Sequence, residues 1–240
     1  MASRPIYFDT ETTGIRTDKD KIIEIAAYDA ANDTSFVSFV NPGIPIPPEA
    51  SAIHHITDEM VKDAPSFATV GQQFLEFCEG DVILIAHNGD RFDMPLLKNE
   101  LTRNDLPTPK WKTIDSLTWA RRYRPDIPRH ALQFLREIYG IPENSAHRAL
   151  DDVMMMVEIF SKMIDDLSID QVYELLNQPR LLQHMPFGKH QGTPLKQLPS
   201  HYLKWLSGSG ALEKPENEQL RKSFEALNLI SPSVVGSSVN

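Results

Sequence analysis

At 240 residues, with 41% hydrophobic and 24% charged side chains, the chain can bury a full core and carry a small second domain. No apolar run approaches a membrane span, the N-terminus lacks a signal peptide's apolar core, and the single cysteine, Cys78, excludes an intramolecular disulfide. A reducing cytoplasmic setting without a membrane partner is therefore expected, and the net charge of −9 argues against broad non-specific binding of nucleic acid.

In chain order, Ile6–Thr10, Lys21–Asp29 and Thr34–Val40 read as successive strands of an antiparallel meander. The first strand starts almost at once and leaves no room for a leader. Thr12 to Asp20 is a polar, turn-rich connection, and Asn41 to Pro48 holds four prolines and a glycine, so it reads as a loop. Phe67–Phe77 has amphipathic helical spacing, and Cys78 beside it reads as core packing. The unbroken apolar segment in Val82–His87 suggests a buried central strand. Met94–Arg103 reads as a helix with Pro95 tolerated in its first turn. Trp111–Asp115 reads as a short strand. Ser116–Tyr123, Ala131–Tyr139, the long amphipathic Arg148–Leu167 and the short Ile169–Asn177 read as helices. The run Met154-Met155-Met156 suits adaptable packing better than a binding surface.

Three short motifs carry candidate chemistry: Asp9-Thr10-Glu11-Thr12-Thr13-Gly14 at the end of the first strand, His87-Asn88-Gly89-Asp90-Arg91-Phe92-Asp93, and His147-Arg148-Ala149-Leu150-Asp151-Asp152. Taken singly, each has a bland explanation: a solvated strand end, a turn, or an exposed acid at a helix start. Taken together and in order they describe an active site. Side chains alternate along a strand, so Asp9 and Glu11 point the same way. Asp93 opens a helix and Asp152 lies early in another, so each carboxylate sits on a regular element. Phosphodiester hydrolysis needs an activated water and charge neutralisation, which two hard divalent cations about 3.5–4 Å apart supply. Carboxylates are the side chains such ions prefer, one or two per Mg²⁺ ion.

These motifs resemble the DEDDh branch of the DEDD 3′–5′ exonucleases, the DnaQ-like family, over roughly residues 5–165. The resemblance implies an α/β, ribonuclease-H-like fold with a mixed five-stranded sheet flanked by helices. It also implies two Mg²⁺ or Mn²⁺ ions, with Asp9 bridging them, Glu11 and Asp152 on the nucleophile-side ion, and Asp93 supporting the second. His147, five residues before Asp152, would be the general base, a task suited to an imidazole with an unperturbed pKa of about 6.5. Asp151 is the neighbouring alternative to Asp152.

Further candidates concern the substrate. Thr12, Thr13 and Gly14 lie in a turn whose backbone N–H groups could meet a terminal nucleotide, and Ile15 is the apolar residue of that polar loop. Ile53-His54-His55-Ile56-Thr57 resembles an element of the same family in which the first histidine, here His54, lies near the 3′ end. Asn88 and Phe92 shape the pocket, Phe92 alternatively serving only the core. Lys98 to Arg136 holds nine Lys or Arg against four Asp or Glu. Within it Arg121 and Arg122 are candidates for phosphate contact, or alternatively for a solvated helix face.

Residues 1–167 are thus read as the exonuclease domain, 168–182 as a helical linker, 183–230 as a small module and 231–240 as a disordered tail. Arg180 to Leu206 contains no Asp or Glu, and mixes Arg180, Lys189, Lys196 and Lys204 with Phe187, Tyr202 and Trp205. Such a mixture suits backbone neutralisation plus base stacking. Pro186 to Gly192 followed by Tyr202 to Leu206 resembles the C-terminal module of some exonucleases of the exodeoxyribonuclease X type. Lys189 reads as a binding cation and Trp205 as a packed core residue. The expected function is a metal-dependent 3′–5′ DNA exonuclease that releases nucleoside 5′-monophosphates, acting in DNA repair on single- or double-stranded 3′ ends. Alternatives are an exoribonuclease acting on RNA, a polymerase proofreading subunit and a non-catalytic nucleic-acid-binding module. Gln72-Gln73-Phe74 lies in a helical pattern and does not read as a clamp-binding peptide. Either a monomer or a homodimer is compatible with the sequence.

Overall fold

The computed structural model describes residues 2–142, 148–178 and 181–231. His147, Arg180 and the tail from 232 onward, which carried three of the expectations above, lie outside them. The chain forms two compact units, the first reaching Leu176 and the second starting at Asn177.

The first unit is built on a mixed five-stranded sheet. Strands β1 (Arg4–Thr12), β2 (Ile22–Asp29) and β3 (Thr34–Phe39) form the expected antiparallel meander. Strand β4 (Val82–Ala86) then adds parallel to β1, and β5 (Lys112–Asp115) parallel to β4, giving the order β3-β2-β1-β4-β5. The all-apolar β4 is buried at every position, as expected of a strand covered on both faces. The centre of the sheet, however, is β1, with β4 one place beside it.

Alternation along β1 assigns its side chains to the two helical layers. Ile6 and Phe8 join a core with residues of α3 (Phe67–Phe77) and α4 (Asp93–Arg103). Tyr7 points to the other face and joins a core with α7 (Ala149–Ile164) and α8 (Ile169–Asn177). This two-sided covering is the ribonuclease-H-like arrangement. The short helices α1 (Pro48–His54) and α2 (Asp58–Val61) and the connection between them join a core with Ile23 through Ala50, Val61 and Ile56. Between β5 and α7 run α5 (Ser116–Tyr123) and α6 (Leu132–Ile138). Cys78 is buried in the α3 side of the core, as read from sequence. In the methionine run, Met155 and Met156 are buried and Met154 is partly exposed.

The segment 168–182, expected to be a linker, is not one throughout. Val172 of α8 is fully buried among Tyr7, Trp119 and Phe160, so this helix belongs to the core of the first unit. Its amphipathic pattern is satisfied only by docking on that face.

The second unit has its own core of Met185, Leu195, Leu198, Leu206, Leu212, Leu220 and Phe224. It contains single helical turns at Gly188–His190 and Leu195–Gln197, and helices α9 (Ser200–Gly208) and α10 (Glu218–Ala226). Among the described residues no helix is long and apolar enough to cross a membrane.

Candidate active site

The alternation that divides the core also builds the site. Asp9 and Glu11 continue the Tyr7 face of β1, on which α7 packs, and α7 carries Asp152 in its first turn. Carboxylate oxygens of Asp9, Glu11 and Asp152 all lie within 4.8 Å of one another. Thr10 points to the opposite face, toward α4, where its hydroxyl donates to Asp93 Oδ1 at 2.7 Å. The four sequence-predicted carboxylates therefore meet around one strand end.

Their electrostatics explain why a cation belongs there. Burial, then the charges of Asp93, Glu11, Asp152 and Glu24, hold the Asp9 carboxyl well above the usual carboxylate range. Burial pushes Glu11 up to about 8, reinforced by Asp152, Glu24 and Asp93 and opposed by Arg148. Burial also raises Asp93 to about 6, against the lowering effect of the Thr10 hydroxyl. Desolvation and like-charge repulsion disfavour ionisation, and a divalent cation removes both penalties. Among the described residues the donor set is all carboxylate oxygen, which fits a hard divalent cation such as Mg²⁺ or Mn²⁺.

Two residues that motif reading passed over hold these ligands. Glu24 on β2 is buried opposite Glu11 in the strand register. It takes the Arg148 guanidinium at 2.9 Å and the Ala149 N–H at 3.2 Å, which ties β2 to the start of α7. Asp115 caps α5 by accepting the N–H groups of Leu117 (2.9 Å) and Thr118 (3.2 Å). The same carboxylate accepts the N–H of Asn88 (3.0 Å) and, more weakly, of Asp90 (3.4 Å), so it holds the loop leading to Asp93. The sequence did carry signals: Glu24 interrupts the apolar run of β2 between Ile23 and Ile25, and Asp115 stands where a helix cap belongs.

The second motif is a turn with little spare room. Asn88 takes a left-handed backbone, φ 67°, which asparagine tolerates better than most residues. A Cβ on Gly89 would lie 2.6 Å from that of Ala86, so only glycine fits. His87 accepts from the Ser116 hydroxyl and donates to the His130 carbonyl, both at 2.9 Å. Burial lowers its pKa, so it is a neutral strut between β4, α5 and the loop before α6. Phe92 is partly buried and packs against the Ile6 and Phe8 core.

The expected substrate contacts divide. In the first turn Thr13 is buried, its N–H donates to the Lys21 carbonyl, and its hydroxyl accepts from the Lys21 N–H. The Thr12 hydroxyl donates to the Gly14 carbonyl at 2.7 Å. The Thr13 amide expected to meet a nucleotide is therefore already engaged, and both threonines shape the turn. A Cβ on Gly14 would meet the Asp20 carboxylate at 2.6 Å, so glycine lets that carboxylate brace the loop. Ile15, by contrast, is 86% exposed. His54 is buried at the end of α1, and its Nδ1 accepts the Ile56 N–H at 3.0 Å, so at least this nitrogen serves the fold. Arg121 is exposed and lines an open depression with His87, Asn88 and Arg129. Arg122 instead donates to the Leu176 carbonyl at 3.0 Å and lies over the Tyr123 ring, a fold role that the charge pattern alone could not separate from that of Arg121. Lys189 is exposed in the second unit.

Comparison with known proteins agrees with this geometry. A family model described as exonuclease (RNase_T) matches residues 6–160. The chain belongs to this exonuclease family. A second model, described as a putative quorum-sensing-regulated virulence factor, matches residues 174–224 and so overlies most of the second unit. The chain is 38% identical over 162 residues to the DNA polymerase III subunit epsilon of Treponema pallidum, covering 65% of this chain and 74% of the relative. It is 35% identical to the chloroplastic/mitochondrial exonuclease DPD1 of Arabidopsis thaliana, covering 68% of this chain and 57% of that one. Several PolC-type DNA polymerase III chains also match, with only 11–13% of their length covered. Among solved structures, exonuclease I superposes with a TM-score of 0.63 at 21% identity, over 75% of this chain and 44% of that one. Exonuclease X in complex with 5′ overhanging duplex DNA superposes with a TM-score of 0.55 at 25% identity, over 72% and 99%.

Proposed function

We propose that the protein is a divalent-metal-dependent 3′–5′ DNA exonuclease that releases nucleoside 5′-monophosphates. The observation that carries this reading is the meeting of Asp9, Glu11 and Asp152 within 4.8 Å, beside the Thr10-bonded Asp93. Two Mg²⁺ or Mn²⁺ ions, when bound, supply charge neutralisation and an acidified water. Asp9, Glu11 and Asp152 would hold them on the α7 face, with Asp93 supporting from the α4 side. Asp115 and Glu24 keep the two halves of the ligand set in place. His147, by the family pattern, takes the proton of the attacking water. The exposed Ile15 side chain packs against the terminal base, and Arg121 meets the phosphate backbone. Likeness to the exonuclease X complex with duplex DNA supports DNA as the substrate, and repair is the setting we assign.

The test is digestion of matched 5′-labelled single-stranded DNA, double-stranded DNA and RNA, with Mg²⁺ and with EDTA. A metal-dependent ladder shortening from the DNA 3′ end is expected. Degradation of RNA alone would move the substrate to RNA, and no cleavage of any substrate would overturn the enzymatic reading. A second reading, proofreading as the partner of a polymerase, is favoured by the likeness to the epsilon subunit; co-purification with a polymerase would support it.

A further inference from the structure

The second unit contributes none of the carboxylates, yet it exposes what a packed domain would be expected to bury. Trp205 is 59% exposed and Phe187 is 40% exposed. This corrects the expectation that Trp205 packs inside. On α9 the core position is taken by Leu206, which leaves the neighbouring Trp205 on the outer side of the helix. Trp205 lies one turn from Tyr202, and the two rings stack at 23° with centroids 5.6 Å apart. His190 extends the row, its ring 4.4 Å from that of Tyr202. The turn that brings His190 there runs through Gly188 at φ +76°, and a Cβ at that glycine would come within 3.7 Å of the Tyr202 hydroxyl.

Charge follows the same surface. Lys189 precedes His190, Lys204 precedes Trp205, and both lysines are exposed. No Asp or Glu occurs from residue 181 to Ala211 in a chain whose net charge is −9. An acidic protein that keeps one segment free of acid, and sets an exposed Trp205 and half-buried His190 and Tyr202 rings beside its lysines, presents a surface complementary to a polyanion with stackable groups. Phosphates alone would require the lysines but not the rings. A duplex hides its base faces, whereas a single strand offers both features to a row of aromatics and cations.

We propose that the His190–Tyr202–Trp205 row, flanked by Lys189 and Lys204, is a binding site for single-stranded DNA built from residues of the second unit. The choice of DNA over RNA rests on the exonuclease reading; the site itself rests on the rings and their charges.

The test uses the full chain in EDTA, so that nothing is hydrolysed, with fluorescein-labelled dT20 as the probe. Trp119 is buried and Trp111 is partly buried against the core, so stacking of thymine should quench Trp205 emission selectively. Trp205→Ala should weaken dT20 binding about tenfold, within the range for loss of one stacked base, and Trp205→Phe should restore most of it. Lys189→Ala with Lys204→Ala should flatten the salt dependence by about 1.4 in logarithmic slope, as expected for two contacts to a single strand. Unchanged melting of each variant would establish that folding is not the cause. Equal dT20 affinity in Trp205→Ala would overturn the proposal, as would tighter binding of a matched duplex, U20 or a polyglutamate peptide. Hydrolysis of a small thymidine phosphodiester by the unmodified protein with Mg²⁺ reads the carboxylate cluster alone. Its absence beside intact, Trp205-dependent dT20 binding would sink the exonuclease reading and leave this one standing.

Discussion

Thr10 Oγ1 donates to Asp93 Oδ1 at 2.7 Å, which joins the even-numbered face of β1 to the first residue of α4. Asp93 is 2% exposed, and this hydroxyl opposes the burial that raises its pKa to about 6. Thr10→Val keeps the shape and removes the donor, so the Asp93 carboxyl should rise further and protons should compete better with the metal. The acid limb of the pH–rate profile is expected to move to higher pH. Activity at fixed Mg²⁺ should fall about 10–100-fold, as for other outer partners of metal ligands. Thr10→Ser should recover both. An unshifted acid limb in Thr10→Val would refute this role.

Glu24 binds Arg148 and the Ala149 N–H together, so β2 positions the helix start that carries Asp152. Glu24→Gln must turn an NH₂ toward one of these donors. Leaving a buried donor unmatched costs about 1–3 kcal/mol. Thermal unfolding should record that loss, and the Mg²⁺ concentration giving half-maximal activity should rise because Asp152 is less well placed. A variant with lowered melting temperature but unchanged Mg²⁺ dependence would show that Glu24 supports the fold without positioning the ligand.

Asp115 gives Oδ1 to the N–H groups of Asn88, Leu117 and Thr118, and Oδ2 to Asp90 N–H at 3.4 Å. Asp115→Asn can keep its oxygen toward the first three donors, but then sets an NH₂ against the Asp90 N–H. The loop to Asp93 should loosen while the α5 cap survives. Turnover is therefore expected to fall more than stability, whereas Asp115→Ala should lose both. Equal activity of Asp115→Asn and the unmodified protein would remove Asp115 from the support of this loop.

Asp151 and Asp152 are adjacent, but only Asp152 places a carboxylate oxygen with Asp9 and Glu11. Loss of a ligand that offsets several kcal/mol of charge should slow turnover about a thousandfold or more. Asp152→Asn and Asp9→Asn should show that loss, while Asp151→Asn should keep most activity. Comparable losses at 151 and 152 would mean that the two acids share the role.

The sheet and the carboxylates were legible in the sequence because both rest on local rules. Period-two alternation put Asp9 and Glu11 on one face, and helix-start patterns put Asp93 and Asp152 at element ends. What was not legible depends on partners distant in the chain. Nothing local says that Glu24 meets Arg148, 124 residues away, or that Arg122 turns to the Leu176 carbonyl while Arg121 stays exposed. The docking of α8 was missed for the same reason, since its amphipathic face reads equally as a linker or as a packed helix. Trp205 failed in the other direction: apolar character suggested burial, but Leu206 already held the core position.

The like-charged cluster also makes a prediction about stability without metal. Glu11 moves from an ordinary value of 4.5 to about 8 on folding. Between these values the folded protein holds a proton that the unfolded chain has released, so stability must fall as pH rises through the interval. Asp93, raised to about 6, and Asp9, raised well above its ordinary value, act in the same direction. In EDTA the melting temperature should therefore decline from about pH 5 to about pH 8, each pH unit costing at most about 1.4 kcal/mol per such group. Glu11→Gln removes one of these protons from the balance and should flatten the decline, while raising the melting temperature at the alkaline end. Mg²⁺ binds the folded cluster and stabilises it by mass action. Because it displaces fewer protons at high pH, the melting-temperature increase it produces should be larger at about pH 8 than at about pH 6. An EDTA melting profile that rises over this range, or one that Glu11→Gln leaves unchanged, would show that the cluster is not held protonated by its burial and its neighbours.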